Sequence, residues 1–284
     1  MPVPQPFYRT LRPIYKYAQA ALRWKRLAFG DAPPIFGNAK PKSGSHLLTQ
    51  ILAGFCQLAP YAYVATDPVR TVKAGGGRFS EQETLNHLSG IPRGVIGWGY
   101  VDSNPQNISF LCQPGRVNYF IYRDPRDMLV SHVFYATDMH EGHGMHEHYQ
   151  ALIDFDERLK VAITGIDRDG LFMVDVRQRY EGVFAWLEQP SVMCIRFEDL
   201  LNQREQVLNA MLDQVEQTGY RIPTAREESI RILLETIQPK KSKTFRSGKT
   251  GEWAKYFKDE HTALFKEVAG DLLVRLGYEK DNSW

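Results

Sequence analysis

Residues 41–48, Pro41-Lys42-Ser43-Gly44-Ser45-His46-Leu47-Leu48, constrain this chain more than any other stretch. They follow a short apolar run, Pro34-Ile35-Phe36-Gly37-Asn38-Ala39, and open a helical pattern from Leu47 to Phe55. The pattern predicts a strand, a tight loop and a helix. A loop that closes onto a helix start offers unpaired backbone N–H groups and the positive end of the helix dipole. Lys42 adds a full charge, Ser43 and Ser45 add hydroxyl donors, and Gly44 lets a ligand approach the backbone. With His46 and Leu47 at the helix start, these residues form a cradle for phosphate. The order is not that of the Walker loop, where the lysine follows the second glycine; here Lys42 precedes Gly44.

Three further segments fall in line with it. Val117-Asn118-Tyr119-Phe120-Ile121-Tyr122 is aromatic and β-branched, a buried-strand pattern. It runs into Arg123-Asp124-Pro125-Arg126-Asp127 and then into a helical run from Met128 to Tyr135. Ser131 lies eight residues after Arg123, about two turns into that helix. Near the C-terminus comes Phe245-Arg246-Ser247-Gly248-Lys249-Thr250-Gly251-Glu252-Trp253, and between the two lies Cys194-Ile195-Arg196-Phe197-Glu198-Asp199-Leu200.

Together these segments resemble the sulfotransferases that use 3′-phosphoadenosine 5′-phosphosulfate (PAPS). The loop from Lys42 to Leu47 looks like that family's 5′-phosphosulfate loop. Arg123 and Ser131 match its pair on the ribose 3′-phosphate, a task that suits the planar fork of arginine. Arg246, Ser247 and Gly248 match a loop that closes on the same phosphate, with Ser247 where the family usually has lysine. Phe197 takes the aromatic position beside the adenine. The matches span residues 34–253 in the family's order. The resemblance implies PAPS as donor, PAP as product, no metal, and a single P-loop-like α/β domain. The alternative is a P-loop-like nucleotide-binding or kinase-type protein without sulfuryl transfer. Such a kinase needs a Mg²⁺-binding hydroxyl after its lysine and a Walker-B aspartate, yet the strand before Arg123 ends in no solitary acid.

The family's catalytic base is a histidine a little over twenty residues before the arginine of the second motif. Here that stretch reads Gly97-Trp98-Gly99-Tyr100-Val101-Asp102-Ser103-Asn104, with no histidine. Tyr100 falls near the slot and Asp102 is close by. Other candidates lie in 138–148, where His140, His143, His146 and His148 make up four of the chain's eight histidines. They read as acceptor-pocket or base residues, with His140 and His143 nearest Ser131, or as a zinc site, or as an exposed loop.

Strands alternating with helices imply a mostly parallel sheet with helices on both faces. Residues 1–33 read as an N-terminal helical extension and 34–284 as the sulfotransferase domain. Residues 60–116, with several glycines, read as the least regular part; 139–149 reads as a loop, 152–166 and 174–188 as helices, and a helix runs from about 202 to 217. The chain has 284 residues, 43% of them hydrophobic, enough for one large α/β domain. A net charge of +2 gives no broad basic field for nucleic acid. The cluster Lys240, Lys241, Lys243, Arg246 and Lys249 is instead local to the third motif. Cys56, Cys112 and Cys194 are odd in number and far apart, which fits free thiols in a reducing, cytoplasmic setting. No run is long and apolar enough for a membrane span, and no signal-peptide core opens the chain. The basic, amphipathic stretch from Tyr8 to Phe29 reads as a helix packed on the domain or a partner chain, with an anionic membrane as the other partner such a helix fits. The pocket's expected lining mixes aromatics with Asp, Glu and His, which points to a polar or cationic small-molecule natural product. Neither the oligomeric state nor the choice between O- and N-sulfation follows from the sequence.

Overall fold

The computed structural model describes residues 5–64, 67–73, 77–168, 170–241 and 248–284. From the N-terminus the chain forms α1 (Gln5–Trp24), β1 (Ile35–Ala39), α2 (Ser45–Leu58), the short strands β2 (Tyr63–Val64) and β3 (Val69–Arg70), α3 (Glu81–Ser89), β4 (Val95–Tyr100), α4 (Pro105–Leu111), β5 (Val117–Tyr122) and α5 (Pro125–Phe134). A π-helical turn, Tyr135–Met139, leads to α6 (His146–Ala151) and α7 (Phe155–Thr164). Then come the hairpin strands β6 (Ile166–Arg168) and β7 (Leu171–Met173), α8 (Val176–Leu187), β8 (Val192–Arg196), α9 (Phe197–Asn202), α10 (Arg204–Glu216) and α11 (Arg226–Thr236). α12 (Asp259–Ala269) and α13 (Leu272–Arg275) close the fold.

The main sheet has the order β2-β4-β1-β5-β8, with β3 also paired to β4, and each of its pairings is parallel. Ile35 stands opposite both Ile96 and Val117, and Tyr122 opposite Arg196, so Ala39, Tyr100, Tyr122 and Arg196 end at one edge. Parallel neighbours require crossovers, and the crossover helices cover both faces. Alternate strand residues divide between two cores. Ile35, Tyr119, Ile121 and Ile195 pack with Leu48, Ile51 and Met211 on the α2–α10 side. Phe36, Phe120 and Tyr122 pack with Leu129, Val133, Leu159 and Val183 on the α5–α7–α8 side.

The stretch 60–116 is more regular than its glycines suggest. β4 is an inner strand, and α3 starts with a capping box between Ser80 and Glu83. A Cβ on Gly97 would lie 2.1 Å from the Ile91 side chain, and one on Gly99 would lie 2.1 Å from the Val69 carbonyl. Those glycines mark close packing, not a loop. Three helix bounds also change. The one expected over 152–166 starts only at Phe155, where Asp154 accepts the Glu157 N–H at 3.0 Å, and Ile166 opens a hairpin. Gln203 interrupts the helix expected over 202–217. The second half of the loop expected at 139–149 is the start of α6.

The end of the extension drawn at 1–33 packs on the domain. Ala20, Phe29 and Ala32 are buried, and the Gly94 N–H donates to the Ala32 carbonyl at 2.9 Å. Ile14, Tyr15 and Leu22 on α1 stay exposed. No helix among the described residues is long and apolar enough to cross a membrane.

Candidate active site

The loop between β1 and α2 is shaped by its backbone. Gly44 caps α2 with φ 94, and the N–H groups of Leu47 and Leu48 donate to its carbonyl at 2.9 and 3.0 Å. A Cβ there would lie 2.5 Å from the Phe197 ring, so only glycine fits both the turn and the packing. Lys42 also adopts a left-handed conformation, φ 65, rare for a residue with a side chain. Its Nζ sits 3.7 Å from the centre of the Tyr135 ring. Ser45 Oγ lies 2.9 Å from the Tyr100 hydroxyl. Ser43 Oγ is buried with no hydrogen-bond partner, and such a group costs about 1–3 kcal/mol until it finds an acceptor.

The second motif divides its labour between two arginines. Asp124 caps α5 by accepting the Arg126 N–H at 2.9 Å, and Pro125 fills the first turn. Arg126 is architectural: it pairs with Asp124 at 2.7 Å and Glu279 at 2.5 Å and stacks 3.8 Å from the Trp253 ring centre. Arg123 turns to the cavity. Its guanidinium lies 4.6 Å from the Phe197 ring centre, donates to the Lys249 carbonyl at 2.8 Å and stands 3.3 Å from Asp127, while its Nε is buried and unpartnered. Asp127 accepts the N–H groups of Gly251 at 2.8 Å and Trp253 at 2.9 Å. The third motif is thereby bound to the second across more than a hundred residues of chain. Arg246 and Ser247, expected on this loop, lie outside the described residues.

One cavity of about 980 Å³ opens at the carboxyl edge of the sheet. Lys42, Gly44, Ser45, His46 and Leu47 line one part of it; Arg123, Ser131, Phe197 and Gly248 line another. Tyr100, Asp102, His140 and His143 face the same space. Ser43 alone among the expected and described site residues lies beneath it.

The candidates for the base are not equivalent. Asp102 is held in an ion pair by Arg78. His143 Nδ1 accepts the Met145 N–H at 3.1 Å, which leaves the proton of the neutral ring on Nε2 and makes that atom a donor. Burial, then His140 and Lys42, push the His143 pKa down, so the ring is neutral. His146 Nδ1 is occupied at 2.9 Å from the Ala136 carbonyl, and His148 Nε2 is buried away from the cavity lining. The four histidines do not converge: among the described residues no three ligating side chains could hold one metal ion. Tyr100 keeps its hydroxyl at the phosphate loop.

Sequence reasoning missed three lining residues. Tyr135 sits four residues after Ser131, a helical spacing that could have revealed it. Lys40 follows β1, and its ammonium donates to the Arg179 carbonyl; burial, then Arg179, depress its pKa to about 8. Arg179 itself carries no local signal.

His132, next to Ser131, gives the site a pH signature. Its Nε2 is buried without a partner, and burial, then Arg179 and His143, hold its pKa well below the ordinary 6.5. Below that value the unfolded chain takes up a proton that the fold refuses. Stability therefore falls as pH drops below 6.5, by up to about 1.4 kcal/mol per unit. We expect His132→Phe to lose less stability than wild type between pH 7 and pH 5 in urea unfolding. Equal losses would clear His132 of the effect.

A family profile described as Sulfotransferase domain matches residues 119–277, more than half of the chain. The chain belongs to the sulfotransferase family. The enzyme is thus a catalyst of sulfuryl transfer, and its second and third motifs fall within the matched span. The 41–48 loop lies outside it. The sulfotransferase is similar to mouse sulfotransferase SULT7A1 complexed with PAP (18% identity, TM-score 0.57, 84% of each chain covered). It is also similar to retinol dehydratase in complex with androsterone and inactive cofactor PAP (15% identity, TM-score 0.56, 92% of this chain and 85% of that one). At these identities the likeness is one of fold. No curated protein matches the sulfotransferase in sequence.

Proposed function

We propose that the enzyme transfers the sulfuryl group of PAPS to a hydroxyl or amine of a polar small-molecule natural product and releases PAP, in the cytoplasm. The observation that carries this reading is the pair of anion sites on one cavity, Lys42 with its loop and Arg123 with Ser131 and Gly248. A nucleotide with phosphates at both ends has a place for each. The residues fit it: the Arg123 Nε is a buried donor without an acceptor beside the cavity. A Mg²⁺-nucleotide fits less well. The acids nearest Arg123 are engaged, Asp124 with Arg126 and Asp127 with two backbone N–H groups. Three free cysteines support the reducing compartment.

When bound, PAPS supplies the sulfuryl group and a phosphate leaving group. Lys42 stabilises the charge that grows on the leaving 5′-phosphate oxygen, and the loop N–H groups with Ser45 hold that phosphate in place. Arg123 and Ser131 bind the 3′-phosphate, and the face of Phe197 lies beside the adenine. Tyr100 takes the acceptor's proton as the acceptor atom bonds to sulfur and the sulfur–oxygen bond to the phosphate breaks. His140 and His143 line the acceptor's side, with His143 Nε2 as a donor.

PAP is expected to raise the melting temperature well above the shift given by ATP with Mg²⁺, measured by differential scanning fluorimetry. Equal shifts would count for the kinase-type alternative.

A further inference from the structure

We infer that the acceptor carries an anionic group, a carboxylate being the best fit, and that Arg179 binds it. The inference rests on the proposed PAPS reading for the placement of the nucleotide and goes on to name the acceptor's charge.

Arg179 is a largely buried cation without an ion-pair partner among the described residues. It enters the cavity lining from the first turn of α8. Its Nε donates to the Val174 carbonyl at 3.0 Å, which fixes the plane of the guanidinium. Its Nη2 is shut off from solvent and has no hydrogen-bond partner. Asp175, the acid whose charge reaches it, is turned to cap α8 by accepting the Gln178 N–H at 2.8 Å. The two carboxylates on the cavity wall do not serve either: Asp102 is paired with Arg78, and Glu181 is exposed. An arginine cannot relieve burial by losing its proton. A buried charge without a partner is costly, and natural sites keep one where a ligand completes it.

The surroundings deepen the deficit. The Arg179 charge presses on Lys40, His132 and His143, each already weakened as a cation by burial. Lys40 donates to the Arg179 backbone and lies 5.4 Å from the Tyr180 ring centre, with no acid in ion-pair reach among the described residues. Lys42 and Arg70 face the same cavity. A cationic acceptor, which the composition of the lining suggested, would meet this wall as a like charge.

The nucleotide does not need Arg179. Its 3′-phosphate has Arg123, Ser131 and the Gly248 loop, and its 5′ end has the Lys42 loop. The neighbours of Arg179 are instead His132, His143 and Tyr149, on the segment that follows the 3′-phosphate motif. An anion site that neither phosphate claims is left for the acceptor, and a guanidinium held in plane at Nε offers a carboxylate charge-assisted hydrogen bonds.

The test uses two phenols of equal size, 4-hydroxyphenylacetate and its amide, titrated calorimetrically into the full-length protein saturated with PAP. The wild type should bind the carboxylate at least ~10-fold more tightly than the amide. Arg179→Gln should abolish the preference, Arg179→Lys should keep part of it, and both should bind PAP within a few-fold of wild type. No preference in the wild type overturns the proposal. So does a loss of PAP affinity in Arg179→Gln as large as the loss of carboxylate affinity, because Arg179 would then serve the nucleotide. If PAP fails to bind the wild type, the donor reading fails; the same titrations without PAP still read the Arg179 preference.

Discussion

Lys42→Ala is expected to lower kcat by about 10²-fold or more at saturating PAPS, with a far smaller change in PAP affinity. The asymmetry follows from where charge appears. PAPS already carries charge on its non-bridging phosphate oxygens, and the loop N–H groups, Ser45 and Arg123 share its binding. The bridging oxygen gains charge only as the bond to sulfur breaks. An ammonium held at that oxygen is therefore worth most at the transition state. The structure holds it: Lys42 has a left-handed backbone, and its Nζ rests 3.7 Å from the centre of the Tyr135 ring, whose face attracts a cation. Steady-state turnover and calorimetric PAP binding on the same preparation separate the two terms. A kcat within a few-fold of wild type, or a loss confined to PAP affinity, would reduce Lys42 to a binding residue.

What the chain revealed in advance was what its local sequence encodes. The strand, turn and helix start around Lys42 read correctly because they are contiguous in the chain. Arg123-Asp124-Pro125 reads correctly for the same reason: a strand end, a cap and a first-turn proline follow one another. The region 60–116 read poorly because Gly97 and Gly99 look like loop residues in sequence, while in space they admit Ile91 and the Val69 carbonyl. α5 gave only a vague helical run, since Met128, Leu129 and Val130 are all buried and no polar face marks the period. The two roles that decide the site's wiring are long-range. Asp127 was visible as part of a motif, but its grip on Gly251 and Trp253 depends on tertiary folding. Arg179 stands in a stretch whose only signal is helical, and its lack of an ion-pair partner among the described residues is a property of everything packed around it.

Tyr100→Phe should cost about 10²–10⁴ in kcat while PAP binds normally, the usual toll for losing a general base. The family's histidine is absent from 97–104, and the packed structure narrows the replacements. Asp102 is engaged by Arg78, and His143 offers a proton at Nε2 instead of a lone pair. His140 and the Tyr100 hydroxyl remain on the cavity wall; of the two, the Tyr100 hydroxyl lies 2.9 Å from the Ser45 hydroxyl at the edge of the phosphosulfate loop, with the Arg70 guanidinium 5.5 Å from its ring centre. Tyr100→Phe removes one oxygen atom and so deletes the candidate base without disturbing the pocket's shape. If Tyr100→Phe keeps near-wild-type kcat, the Lys40 amine is next in line, since burial brings its pKa to about 8 and a neutral amine can accept a proton. If Lys40→Met is equally active, the acceptor needs no base, and an amine whose own lone pair attacks sulfur becomes the better substrate.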